Sequence, residues 1–230
     1  MKLNPNGVLP TLIDHDLPIF ESTSILEYLE DKYLEDKYIE TNFRLFSVFL
    51  RSQMRAFLVF VDVWPTPVVR TPSFQFGGLL RKFAAMSDEN FKRLVEKRPL
   101  KADFYNSFDK NRGFSDKKIF STFEAILKTA KRMDEMLQKF GGPWLLGEEY
   151  SLADMAVLPL IDRMQDLGLD GLWLNTYPSI SDWLFRAQRR PATLKSYVDG
   201  SRLSEQFPEL VGGAGTLSDF TDAYFKTKSV

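Results

Sequence analysis

The stretch Asn6–Glu30, NGVLPTLIDHDLPIFESTSILEYLE, decides the fold. Residues 8–14 and 17–20 are short apolar-rich runs, and His15-Asp16 between them supplies a polar turn of the length a tight hairpin uses. Pro10 and Pro18 have no N–H to give a ladder, so these strands lie near edges or ends. Ser22 to Tyr33 then takes a helical pattern, with Ile25, Leu26 and Leu29 on one face. A hairpin feeding a helix is a unit from the middle of a domain, yet here it stands almost at the start of the chain.

Helical periodicity governs the rest. Apolar residues from Phe43 to Val61 predict a long helix from Asn42 to about Trp64, apolar around much of its circumference and so buried on two sides. Three prolines within residues 65–72 end it. Residues 79–98 read as a polar amphipathic segment closed by Pro99. A further helix is expected from about Asp116 to Phe140, stopped by Gly141-Gly142-Pro143. Ser151 and Asp154, three apart, predict a helix start at Tyr150–Leu167, with Tyr150 and Met155 placed for a hydrophobic staple. A last helix near Ile180–Arg189 ends at Pro191, with one more helical turn after it, and the tail from Val211 lacks a clear period.

The chain has 230 residues, 44% hydrophobic, enough for one or two cored domains. Thirty Lys plus Arg against 31 Asp plus Glu give a net charge of -1, which argues against nucleic acid as a partner. Basic pairs such as Lys131-Arg132 and Arg189-Arg190 read as solvated faces. No apolar run is long enough to span a membrane, and no secretory signal opens the chain, so a cytoplasmic location is expected. With no cysteine, disulfides, thiolate metal sites and a Cys nucleophile are excluded. One histidine, His15, argues against a His-rich metal site, and its place in a hairpin turn makes it a solvated side chain. Twenty Phe form a heavy aromatic load for lining apolar space.

Residues 4–33, NPNGVLPTLIDHDLPIFESTSILEYLEDKY, resemble the second half of the thioredoxin-like domain of glutathione transferases. PWLLGEEYSLADMAVLPLIDRM (143–164) resembles the second signature of that family, a buried capping box in its all-helical C-terminal domain, and YPSISDWLFRAQRRPAT (177–193) is similar to the segment after it. The long stretch between Trp64 and Lys118 contains KADFYNSFDKNRGFSDKKI, similar to bacterial relatives of the β-aryl-etherases that cleave ethers with glutathione. The resemblance implies an α+β, mostly helical fold: a partial thioredoxin-like, glutathione-binding domain at residues 1–35, an all-helical domain at 42–205 and an irregular tail at 206–230. It implies too that the family's opening strand–helix–strand crossover, a unit of about 30 residues or more, is missing here through truncation, a misplaced start or genuine loss. The residue that usually stabilises the glutathione thiolate goes with it, so no catalytic residue is assigned and activity is expected to be weak or absent unless that segment is restored.

From the same resemblance, Leu9-Pro10 is expected to be a cis bond whose outward-facing backbone pairs with the cysteinyl part of glutathione as an added strand. The alternative is an ordinary trans proline at a strand start. Glu21 would pair with the γ-glutamyl ammonium and Ser22 with its carboxylate at a helix N-terminus. The competing reading is capping alone, by Ser22 or by Ser24 with Glu27. Phe57, Phe60, Val61 and Trp64 are candidates for lining an apolar co-substrate site, although the same spacing suits a core. Ser151 and Asp154 are assigned to helix capping. The function implied is glutathione-dependent transfer to, or ether cleavage of, an apolar electrophile by a homodimer. The alternative is a non-catalytic binding or regulatory protein on the same scaffold, like the stringent-starvation proteins.

Overall fold

The structure is a computed structural model and describes residues 3–5, 7–33, 43, 45–208 and 217–228, with the side chains of 221–228 in the last stretch. Strand β1 (Thr11–Asp14) pairs antiparallel with β2 (Leu17–Phe20) in the register Thr11↔Phe20 to Asp14↔Leu17. His15 and Asp16 between them both take positive φ, 46° and 66°, the two-residue turn whose twist suits a hairpin. Helix α1 (Ser22–Tyr33) follows at once. Residues 8–10, expected in the first strand, precede the ladder because Pro10 cannot donate to it.

Helix α1 is fixed to the hairpin on one side and to the helical body on the other. Asp14 accepts hydrogen bonds from Tyr28 and Lys32, and these hold its carboxyl down at about 2, the ammonium contributing most. Across α1, Thr23 Oγ1 donates to Asp62 of α2 (Val48–Val63) at 2.6 Å, and Arg55 Nε pairs with Glu27 at 2.9 Å. Buried Glu30 accepts the Phe43 N–H at 2.8 Å. Burial of Ile25 adds roughly 1.5–3 kcal/mol. This network sets the hairpin's position on the helices.

The long helix is shorter than its sequence pattern predicts. It starts at Val48, where Ser47 accepts the Leu50 N–H, and the expected start at Asn42 lies outside the described residues. Only one face is buried: Met54, Phe57, Leu58, Phe60 and Val61. Phe49, Val59 and Val63 are exposed on the opposite face. The following prolines start helices as well as ending one, with Pro65 and Pro67 inside α3 (Pro65–Val68) and Pro72 in the first turn of α4 (Arg70–Phe76). A proline has no N–H to lose in a first turn.

Residues 79–98 form two helices, α5 (Leu79–Ala84) and α6 (Asp88–Glu96), separated where Ser87 caps the second through Asn90 N–H. A 3₁₀ turn at Pro99–Lys101 leads into α7 (Ala102–Asn106). This insert carries its own aromatic core. Phe74 stacks on Phe83 at 5.3 Å and meets Phe104 and Phe108 edge-on at 4.9 and 5.7 Å. Phe91, Tyr105 and Phe114 complete the cluster. Much of the phenylalanine content is explained here, as packing rather than as a pocket.

Helix α8 (Asp116–Phe140) stops where Gly141 takes φ 67°, a left-handed position that suits glycine. Helix α9 (Leu152–Asp166) carries the capping box. Asp154 is fully buried and accepts from Ser151 N–H and Oγ (both 3.1 Å), Leu145 N–H (3.0 Å) and Trp183 Nε1 (2.8 Å). One carboxylate thus ties the helix start to the preceding loop and to α10 (Pro178–Gln188). α11 (Pro191–Ser196) is the expected extra turn, and α12 (Leu203–Gln206) follows it.

The tail expected to be irregular contains a helix, α13 (Leu217–Lys228). Tyr224 on it is buried against Phe120 and Phe123 of α8, at 5.8 and 5.6 Å. The pattern escapes sequence reading because one aromatic supplies most of the docking.

Candidate functional site

The open end of the hairpin gathers Leu9, Pro10, Glu21 and Ser22, the candidate ligand-binding residues. The Leu9-Pro10 peptide is cis, as expected, and Leu9 is 90% exposed. The turn before it is fixed by buried Asn4, whose side-chain amide donates to the Val8 carbonyl at 2.9 Å and to Thr11 Oγ1 at 3.1 Å. Gly7 N–H closes the turn on the Asn4 carbonyl at 3.1 Å with φ 61°, a conformation glycine adopts without penalty.

The ladder ends at Thr11↔Phe20, so the next positions outward on the two arms are Pro10 and Glu21. Glu21 takes φ 69°, rare for a residue with a side chain, and its carbonyl accepts the Ile25 N–H at 2.9 Å. Glu21 therefore occupies the N-cap position and Ser22 is the first helical residue, which corrects the reading of Ser22 as the cap. Both side chains are exposed, as is that of Ser24. A non-glycine residue held left-handed at a helix start is the kind of local strain that functional sites tolerate. What the arrangement offers is an accessible backbone strip beside a carboxylate and a hydroxyl at a positive helix end.

The predicted apolar wall does not assemble at this end. Phe57, Phe60 and Val61 are packed in the core, Phe57 stacked on Phe60 at 5.7 Å with the Arg132 guanidinium 4.2 Å above the Phe60 ring. Trp64 alone of the four is exposed, and Lys128 Nζ stands 3.6 Å over its ring.

Facing the turn is a feature that sequence reading missed. A cleft of about 720 Å³ runs between Gly7, Val8, Leu9 and Ile13 on one side and Lys97 and Arg98 of the insert on the other. Arg70, Arg98 and Lys101 are half-buried and lie within electrostatic reach of one another. Burial pushes the Lys101 ammonium down, the charges of Arg70 and Arg98 push it further, and Glu21 opposes them. Burial also lowers Arg70. The signal was present in EKRPLK (96–101), but only the fold turns it toward the hairpin.

Two family models match, the glutathione S-transferase N-terminal domain over residues 1–31 and the C-terminal domain over residues 117–186. The chain has the glutathione S-transferase fold, with both domains of that family matched in order. It is 29% identical over 206 residues to protein LigF of Sphingobium sp. strain SYK-6, spanning 87% of this chain and 77% of that protein. The crystal structure of β-etherase LigF superposes with a TM-score of 0.71 at 28% identity, over 84% of this chain and 79% of that one. A stringent starvation protein A homolog of Pasteurella multocida is 29% identical over 170 residues, 74% of this chain and 58% of that protein. Ure2p in complex with glutathione shares the fold, with a TM-score of 0.60 at 19% identity over 85% of this chain and 74% of that one. Among the described residues no helix is long and apolar enough to cross a membrane, and no cluster of His, Cys, Asp and Glu is placed to hold a metal ion.

Proposed function

We infer that this chain binds glutathione at the open end of the hairpin and serves a glutathione-dependent reaction on an apolar electrophile. One observation carries the reading: the exposed cis Leu9-Pro10 backbone stands across the hairpin from exposed Glu21 and Ser22. The N–H and C=O of Leu9 take the cysteinyl backbone as one more strand. Ser22, at the helix N-terminus, takes the γ-glutamyl carboxylate, and the Glu21 carboxylate takes the ammonium beside it. The tripeptide so held points its sulfur away from the doublet and toward the co-substrate.

The likeness to LigF supports ether cleavage as the reaction. The glutathione sulfur attacks the carbon bearing the ether oxygen, a C–S bond forms, and the C–O bond breaks with both electrons leaving on the oxygen. Transfer to another electrophile uses the same binding. The second reading, a non-catalytic binding protein, rests on the match to the stringent starvation protein A homolog. Retention on immobilised glutathione, with Glu21→Ala and Ser22→Ala as controls, tests the binding. Wild type should be held and both variants washed off; a wild type that passes straight through refutes the proposal.

We propose in addition that the protein is a homodimer through α2. Phe49, Ala56, Val59 and Val63 are exposed and, with the small Ser52 between them, recur every three or four residues, a largely apolar seam on the face turned away from the core. Light scattering of the purified protein should give twice the chain mass.

A further inference from the structure

The cleft opposite Leu9 has a chemistry of its own. Its near side is largely apolar, with Leu3, Val8, Leu9 and Ile13, and its far side is cationic, with Lys97 and Arg98. Arg70 and Lys101, within electrostatic reach of Arg98, add two more positive charges to its field, and Glu21 is the one carboxylate among the described residues that acts on Lys101 against them. Neither Arg70, Lys97 nor Lys101 has an ion pair among the described residues, and Arg98 donates one N–H to the Leu94 carbonyl at 3.0 Å. Half-burying several like charges together is unfavourable unless an anion offsets them.

We propose that this cleft takes a co-substrate that is itself an acid, an apolar body lying along Leu9 and Ile13 with its carboxylate on Arg98 and Lys97, in the field of Lys101. The insert is then a specificity device, since the family-matched segments at 1–31 and 117–186 contain none of these cations. An arginine fork matches a carboxylate in two bonds, and its flanking lysines strengthen the field. The inference rests on the glutathione reading above, because the acid must lie beside the bound thiol. Glutathione carries a competing source of the same chemistry, its glycyl carboxylate, and the experiment separates the two.

Three probes serve: S-benzylglutathione, S-(4-carboxybenzyl)glutathione, and the glycyl ethyl ester of S-benzylglutathione. Each is titrated calorimetrically into the full chain and into Arg98→Gln and Lys101→Gln, with thermal unfolding to show that each variant folds. The Lys101 side chain makes no hydrogen bond among the described residues, so Lys101→Gln is informative even where Arg98→Gln fails to fold. The carboxybenzyl conjugate should bind about tenfold more tightly than the benzyl one, the scale of one partly exposed charge-assisted contact. That advantage should shrink in both variants and at high salt while S-benzylglutathione affinity holds. Equal affinity for the two conjugates overturns the proposal and leaves glutathione binding intact. An ester that binds much more weakly, with no advantage for the carboxybenzyl group, reassigns the cations to the glycyl carboxylate and overturns it too. If no conjugate binds, the glutathione reading fails, and this inference with it.

Discussion

Replacing Asp154 with alanine tests whether Ser151 and Asp154 are structural. The carboxylate takes four hydrogen bonds inside the core, from Ser151 N–H, Ser151 Oγ, Leu145 N–H and Trp183 Nε1. Its removal leaves two backbone N–H groups and an indole N–H buried without an acceptor, since the serine hydroxyl alone is free to rotate. A stranded buried donor costs about 1–3 kcal/mol. Some relaxation and water entry reduce the sum, so a loss of about 3–5 kcal/mol is expected. For a chain of this size that lowers the midpoint by roughly 10 °C. Urea unfolding followed by circular dichroism measures the loss. Asp154→Asn, which keeps one acceptor oxygen, should lose less and still bind glutathione. A change below about 1 kcal/mol in the alanine variant would refute the reasoning, as would lost glutathione binding in a fully folded asparagine variant.

Other outcomes follow from the same contacts. Asp14, held at about 2 by Lys32 and Tyr28, has a folded value below its ordinary 3.8. Its share of stability is therefore present above 3.8 and lost as pH falls through 2. An NMR titration should show this, and Lys32→Gln should move the carboxyl upward. Phe83→Ala, at the centre of the insert's aromatic cluster, should cost about 3–5 kcal/mol in chemical unfolding. Val59→Arg on the exposed seam of α2 should give a folded monomer by light scattering; a dimer that survives it places the interface elsewhere.

The hairpin, α1, α8 and the capping box were legible because local chemistry dictates them. Prolines, a two-residue polar turn, Gly141 and the Ser151–Asp154 spacing each act over a few residues. Legibility failed where tertiary contacts decide. Nothing local shows that Phe57, Phe60 and Val61 face inward while Val59 and Val63 face out, since all are apolar. Helix α13 is held by Tyr224 against a helix about a hundred residues earlier, a contact without periodicity. Glu21 was legible as a candidate, but its left-handed backbone, which moves the helix cap by one position, was not. The cationic wall escaped because Arg70 lies far along the chain from Arg98 and Lys101, and only the insert's packing brings it within their reach and turns Lys97 and Arg98 toward the hairpin.

The central claim is that a bent proline backbone and an acid–hydroxyl pair hold one tripeptide. A crystal structure of the chain with S-hexylglutathione tests it most directly. The γ-glutamyl carboxylate should lie on Ser22 N–H and Oγ, its ammonium on Glu21, and the cysteinyl amide should pair with Leu9. Density for the peptide anywhere else, with Leu9 and Ser22 untouched, would contradict the account.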